Sequence, residues 1–165
     1  MGRPILKIEL ETSDKIIYWL GVSACLALVI LPFYFFPYLP EEVPRHFGSD
    51  GTPDAWGSRN YVFMMPFIGL ILFVGMFFLS KVPHIYNYTV EITEENAAVQ
   101  YKRSSRMIRV LNTAIILTFL YIEITTLRTA LGKSEGLGGW FLPVFMMVMF
   151  GIPVAYLIFS PKKSS

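Results

Sequence analysis

Two groups of residues in this sequence could do chemistry, and the first lies between residues 39 and 60. His46, Asp50 and Asp54 recur there every four residues. With a glutamate just upstream, they could offer nitrogen and oxygen ligands to a divalent cation. However, the prolines and glycines around them allow no helix that would align the three side chains, and both aspartates also suit turns. The pattern therefore predicts neither a metal centre nor a cofactor.

The second group centres on Glu123, the one acidic residue inside a long apolar run. An ionisable side chain within a membrane span is costly and is a functional candidate by default. It is either a site residue or one half of a structural ion pair. The expected partners are basic residues on the same side of the membrane: Arg128, Arg45, His46 and Arg59.

No pattern typical of an enzyme is present in the sequence. It contains no nucleophile next to a base, no phosphate-binding glycine loop and no zinc-protease helix motif. We therefore expect a protein that is not an enzyme. The single cysteine, Cys25, excludes an internal disulfide. Its place inside an apolar run favours a buried thiol over a lipid attachment site.

The composition indicates a membrane protein of one domain. Of the 165 residues, 54% are hydrophobic and only 16% are charged, whereas soluble domains carry about 25% charged residues. The net charge of +2 and the lack of a basic stripe argue against nucleic acid as a partner. The lipid bilayer is the partner that this composition requires, and the oligomeric state is not indicated.

Four segments are apolar and long enough to cross a bilayer, which takes about 20 helical residues. They predict spans at 16–36, 61–79, 107–127 and 139–159 within an all-α integral membrane fold. The third span should continue a helix that begins after Thr93, because no glycine or proline follows until Gly132. Gly69 and Gly75 in the second span either let helices approach closely or are simply tolerated.

The connecting segments fall on two sides of the membrane. Residues 1–15, 80–106 and 160–165 share one side, and residues 37–60 and 128–138 share the other. Together with Arg109 at the start of the third span, the first side holds ten of the 14 lysines and arginines, and such residues remain in the cytoplasm. We therefore predict a protein of the cell membrane with both termini in the cytoplasm and an extracytoplasmic loop at 37–60.

Two features of the predicted cytoplasmic side concern contacts. Arg103, Arg106 and Arg109 recur every three residues at the start of span three. We expect them to contact anionic lipid head groups or, alternatively, a cytoplasmic protein partner. The segments 7–11 and 88–92 both alternate polar and apolar residues. Because both lie on this side, we predict that they pair as a small β-structure.

The extracytoplasmic loop has prolines, glycines and apolar anchors, which favour an ordered loop that is neither helical nor strand-like. Its pattern reads Leu39-Pro40 … Val43-Pro44-x-His46-Phe47 … Gly51-x-Pro53-Asp54-x-Trp56-Gly57-Ser58-Arg59. This pattern resembles the signature of a bacterial membrane family, domain of unknown function sixteen forty-eight. The same domain forms the N-terminal part of SdpI-type proteins. The resemblance covers about residues 16–80 and includes Met65-Pro66 in the second span.

The resemblance implies a function. SdpI-type proteins give immunity to a secreted peptide toxin and signal by holding a transcriptional repressor at the membrane; they continue with further spans, whereas four are predicted here. An SdpI-like protein would recognise an extracytoplasmic peptide ligand through this loop. The expected ligand-binding residues are Pro44, His46, Phe47, Gly51, Pro53, Asp54, Trp56, Ser58, Arg59 and Glu123. The alternative is an accessory subunit or transport component that uses Glu123 in a polar path.

Overall fold

A computed structural model describes residues 3–159 as four long helices and one β-hairpin. The elements are α1 (Thr12–Phe35), β1 (Glu42–Phe47), β2 (Pro53–Ser58), α2 (Met64–Leu79), α3 (Glu94–Ala130) and α4 (Phe141–Phe159). Short 3₁₀ turns occupy Phe36–Tyr38, Arg59–Phe63 and Pro83–Ile85. The predicted cytoplasmic tail at 160–165 lies outside the described residues.

All four helices are long and apolar enough to cross a membrane. The helical segments that qualify are Thr12–Tyr38, Arg59–Leu79, Glu94–Ala130 and Phe141–Phe159. The prediction of a mostly helical fold with four candidate spans is therefore confirmed. The fold is not all-α, however, because the segment between the first two spans forms a two-stranded antiparallel sheet.

The central element is α3, which contacts the other three helices and β1. As expected, it begins after Thr93 and runs without a break for 37 residues. Two of its polar side chains bond to backbone carbonyls of neighbouring helices: Thr113 Oγ1 donates to Ile17 O at 3.1 Å and Asn112 Nδ2 to Phe73 O at 3.0 Å. Such bonds stabilise helix pairs in a bilayer, where no hydrophobic effect drives helices together.

Small residues bring α1 and α2 close together at one point. A Cβ atom on Gly69 would lie 2.6 Å from Leu28 Cδ2, so only glycine fits there. Around Gly75, by contrast, no described atom lies within 4 Å of such a Cβ. Close helix approach therefore explains Gly69, and simple tolerance explains Gly75.

The four-helix bundle has two distinct ends. At one end, which we call the termini end, the Arg103 side chain donates to the carbonyl of Phe159 and the Lys102 side chain donates to the carboxylate of Glu11. The hairpin and the α3–α4 link lie at the other end, which we call the hairpin end. Glu11 and Phe159, near the two ends of the described range, therefore lie at the same end of the bundle.

The description of residues 37–60 as neither helical nor strand-like is wrong. β1 pairs with β2 from Glu42 opposite Ser58 to Phe47 opposite Pro53, with a bulge after Pro44. Proline and glycine had argued against strands, but a sheet of two strands has only edges, where proline is tolerated. The bulge accommodates the irregular residue spacing on β1.

The predicted β-pairing between segments 7–11 and 88–92 is also wrong, since the described residues contain only the one sheet. Side chains join the two regions instead. Arg3 donates to the carbonyls of His84 and Tyr86, and Tyr101 Oη donates to Pro4 O at 3.0 Å. Tyr88 Oη donates to Pro83 O at 2.9 Å, and burial raises the pKa of Tyr88 to about 12. Side-chain donors thus connect the N-terminal segment to residues 84–86 and to α3 without any strand pairing.

Candidate functional site

The base of the hairpin is fixed to the helices by a small apolar core. Val43 of β1 and Val62 are both almost completely buried, and they cluster with Leu39 and Leu127 of α3. Burying a side chain of this size stabilises by about 1.5–3 kcal/mol. The hairpin is therefore held against α3 by hydrophobic packing as well as by its covalent connections.

The tip of the hairpin is fixed by the backbone of the α3–α4 link. Leu137 N–H donates to Gly51 O at 2.7 Å, and Tyr121 Oη of α3 donates to Leu137 O at 2.9 Å. Gly51 has φ +80°, and a Cβ there would lie 2.5 Å from Gly138 O. Gly51, one of the predicted ligand-binding residues, thus meets a structural requirement for close backbone approach.

Beneath the hairpin lies a cavity of about 240 Å³. The hairpin, the start of α2, the last third of α3 and the start of α4 all contribute to its wall. The residues that matter most for recognition are Pro44, Arg45, His46, Phe47, Tyr61 and Glu123. Three predicted site residues of β1 and the predicted acid of α3, which are about 75 residues apart in the chain, therefore line one cavity.

Glu123 is the buried polar group of this cavity. It is 1% exposed, and its Oε1 has no hydrogen-bond partner among the described residues. The prediction that a basic residue pairs with it is wrong for residues 3–159, where no such ion pair exists. Arg59 instead lies over the Phe36 ring at 4.8 Å, and Arg128 lines a separate cavity with Lys133.

The polar side chains of the hairpin are engaged with each other rather than arranged around a cation. His46 Nδ1 lies 2.6 Å from Asp54 Oδ1 across the two strands. Asp50 accepts from the backbone N–H and hydroxyl of Thr52, and the backbone bond holds the pKa of Asp50 below its usual range. Within the described residues, no three histidine, cysteine or acidic side chains group together to hold a metal ion.

The remaining predicted site residues lie along β2 and after it. The strand alternates half-buried and exposed positions, so Asp54, Trp56 and Ser58 share its exposed face while Pro53 lies on the other. Trp56 is 46% exposed. Ser58 Oγ accepts from the backbone N–H of Asn60 at 3.4 Å, which helps to end the strand. Residues of the motif on β1 thus line the cavity, whereas those on the exposed face of β2 point away from it.

Comparison with known proteins identifies the segment that holds the hairpin. Residues 24–70 match the family described as "Domain of unknown function (DUF1648)". The resemblance inferred from the loop motif is therefore confirmed for that family. An uncharacterized protein of Archaeoglobus fulgidus is 24% identical over 152 residues, which cover 84% of this chain and 83% of the relative. No solved structure matches the chain.

The DUF1648 segment supplies only part of the cavity wall. It includes the end of α1, the hairpin and the start of α2, whereas Glu123, Leu137 and Phe141 lie after it. Sequence reasoning missed Leu137 and Phe141 because they stand in an ordinary apolar and glycine-rich stretch. Tyr61, which falls within the segment, was likewise assigned only to the second span.

A group of charged residues at the termini end was also missed. Asp14 is fully buried and accepts from Arg106 Nε at 2.8 Å and from Arg109 Nη2 at 3.0 Å. Glu11 bonds to Lys102 and Arg106, and the Lys102 bond lowers the pKa of Glu11. Arg106 and Arg109, which we expected to contact lipid head groups or a protein partner, therefore also hold Asp14. The sequence signal was the (i, i+3) spacing of two acids at the start of α1, Glu11 and Asp14, and of two arginines within α3.

Proposed function

We propose that this chain is a multi-pass membrane protein that binds an extracytoplasmic ligand between its hairpin and its helices, and that it is not an enzyme. The observation that carries the proposal is the Glu123 carboxyl, which lines the cavity beneath the hairpin with Oε1 unpaired among the described residues. A buried polar group left without a hydrogen bond costs about 1–3 kcal/mol of stability. A ligand that donates to this carboxyl would offset the cost.

The buried Glu123 carboxyl favours a ligand with an amine or guanidinium group, because the basic residues of the same wall, Arg45 and His46, are exposed and water screens their charge. Such a group would form a charge-assisted hydrogen bond with the Glu123 carboxylate, which is stronger than a bond between neutral groups. The cavity of about 240 Å³ is smaller than pockets for drug-sized molecules, which span about 300–1,000 Å³. It therefore suits one basic side chain or the amino terminus of a peptide. The exposed Trp56 face of the hairpin would contact the rest of that peptide.

The residue pattern of the hairpin segment suggests a physiological role for this binding. Because it resembles that of SdpI-type proteins, we propose immunity to a secreted peptide toxin, or sensing of it. The termini would then lie in the cytoplasm, where a protein partner could receive the signal. The hairpin end would face the exterior and meet the peptide.

The test is survival of bacterial cells that express the chain and are challenged with the secreted toxin of SdpI-type systems. We expect the unaltered chain to raise survival, and Glu123→Gln and Trp56→Ala each to reduce that gain about tenfold or more, since each removes about 1–3 kcal/mol of binding. Lys133→Ala, at the same end but outside the cavity, is the control and should protect fully. Membrane abundance of every variant is measured by immunoblot. Failure of the unaltered chain to protect would refute the immunity role.

A second candidate is an accessory subunit or transport component that uses Glu123 in a polar path. It is favoured by the burial of this acid within a candidate span rather than on a loop. The same variants separate the two candidates. In the transport role Glu123→Gln abolishes function while Trp56→Ala remains close to the unaltered chain. In the recognition role both substitutions are damaging.

A further inference from the structure

A second cavity, at the termini end, has a different chemistry. It has a volume of about 640 Å³ and lies between the N-terminal segment, the start of α1, the end of α2 and the middle of α3. Its wall includes Lys7, Lys15, Tyr18, Phe77, Lys81 and Arg109. Four separate segments of the chain therefore each contribute one basic side chain to the same cavity.

The three lysines of this cavity are not paired with an acid among the described residues. Glu9 is the single acid in its wall, and no ion pair joins Lys7, Lys15 or Lys81 to an acid within residues 3–159. Since Arg109 is already paired with Asp14, three positive groups against one negative group leave a surplus of two. Such a surplus attracts an anion.

Arg109 supplies an independent sign of a ligand. Its side chain is 9% exposed, and its Nη2 donates to Asp14. Its Nε is also buried but has no acceptor among the described residues. An arginine carries five N–H donors, and its planar fork matches the oxygens of phosphate and carboxylate groups. An oxyanion in the cavity would satisfy the unpaired donor.

The wall also has an apolar part, which distinguishes this cavity from a site for a small ion. The Tyr18 and Phe77 rings lie 5.5 Å apart between α1 and α2, and Lys81 Nζ lies 4.0 Å from the Phe77 ring centroid. Both rings belong to apolar segments that can span a membrane, with Lys81 just beyond the end of α2. Aromatic rings and basic side chains at this level are typical of the membrane–water interface.

We propose that this cavity binds the phosphate group of an anionic phospholipid, with Lys15, Lys81 and Arg109 as its ligands and the acyl chains along α1 and α2. The site is independent of the ligand proposed for the hairpin end. Arg109 serves both the phosphate and Asp14, so lipid binding would also strengthen the contact between α1 and α3. Of these ligands, Arg109 belongs to the arginine series that the sequence suggested, whereas Lys15 and Lys81 do not.

The experiment is native mass spectrometry of the full chain in an uncharged detergent, with phosphatidylglycerol or phosphatidylcholine added. We expect one phosphatidylglycerol to bind about tenfold more tightly than phosphatidylcholine, because nearby basic residues attract an anionic head group and not a zwitterionic one. The double substitution Lys15→Ala with Lys81→Ala should remove this preference. Neither lysine contacts Asp14, so the helix contacts remain. The charge-matched control Arg128→Ala with Lys133→Ala, at the hairpin end, should retain it.

Two results would overturn the proposal. One is an equal affinity for both lipids, or an equal loss of preference in both double variants, which would indicate only general attraction to the charged chain. The other concerns free phosphate. If millimolar inorganic phosphate raised the thermal midpoint of the unaltered chain as much as phosphatidylglycerol, the site would be one for a soluble anion and not for a lipid.

Discussion

Asp14 shows how much one buried charge contributes at the scale of a residue. Its carboxylate lies completely buried between Arg106 and Arg109, and it joins α1 to α3. We expect Asp14→Asn to lower the free energy of unfolding by about 3 kcal/mol, since removing one partner of a buried ion pair leaves an uncompensated charge. Denaturant unfolding of the purified chain measures this change. Glu11→Gln, which alters an exposed partner of Arg106, is the control and should have a clearly smaller effect.

Residue types predicted some of these roles and not others. Glu123 was identifiable because an acid in an apolar span is rare, and the structure places it in the wall of a cavity. None of its expected basic partners pairs with it, since Arg128 and Arg59 lie elsewhere and Arg45 and His46 line the same wall without forming an ion pair with it. Asp14 was not identified, since it stands among other charged residues at the beginning of a span. Long-range pairing, which decides its burial, is invisible in a single sequence.

The hairpin is the element whose position defines the candidate site. Its tip contacts the α3–α4 link backbone to backbone, with Gly51 against Gly138. We expect Gly51→Ala to separate the hairpin tip from the α3–α4 link, because the added Cβ would clash with backbone atoms of Gly138. Alanine is also strained at φ +80°. The bond from Leu137 N–H to Gly51 O should then be lost. Hydrogen exchange at the Leu137 amide should accelerate about tenfold or more.

A substitution at Gly132 is the control that has backbone strain but no steric contact. Gly132 also has positive φ, at +68°, but a Cβ there would have no described atom within 4 Å. Gly132→Ala should therefore cost about 1 kcal/mol of stability and leave exchange at Leu137 unchanged. If both substitutions accelerated that amide equally, the proposed docking of the hairpin tip would be wrong.

At the element scale, the sequence was informative where one physical force dominates. Hydrophobicity over about 20 residues predicts a span, and the absence of glycine and proline after Thr93 predicted the continuous α3. The hairpin was missed because Pro44, Pro53 and Gly57 disfavour strands. Its stability comes from the packing of Val43 against Leu127 and from the contact at Gly51, both of which depend on residues far along the chain.

The whole molecule is a bundle whose two ends differ in charge. Eight of the described lysines and arginines lie at the termini end, and only Arg45, Arg59, Arg128 and Lys133 lie at the hairpin end. Basic residues close to spans resist transfer across the membrane. The same asymmetry therefore supports a cytoplasmic termini end, where an anionic lipid would be available, and an exterior hairpin end, where a secreted peptide would be met.

This orientation is testable with single cysteines, since Cys25 is the only natural one and is buried. In a Cys25→Ala background, we expect Ser49→Cys in the exposed hairpin turn to react with a membrane-impermeant maleimide on intact cells. Asn87→Cys, which is equally exposed at the termini end, should react only after the membrane is permeabilised. The reverse pattern would place the basic end outside. It would also remove both proposed ligands from the compartments in which they occur, because the hairpin would then face the cytoplasm.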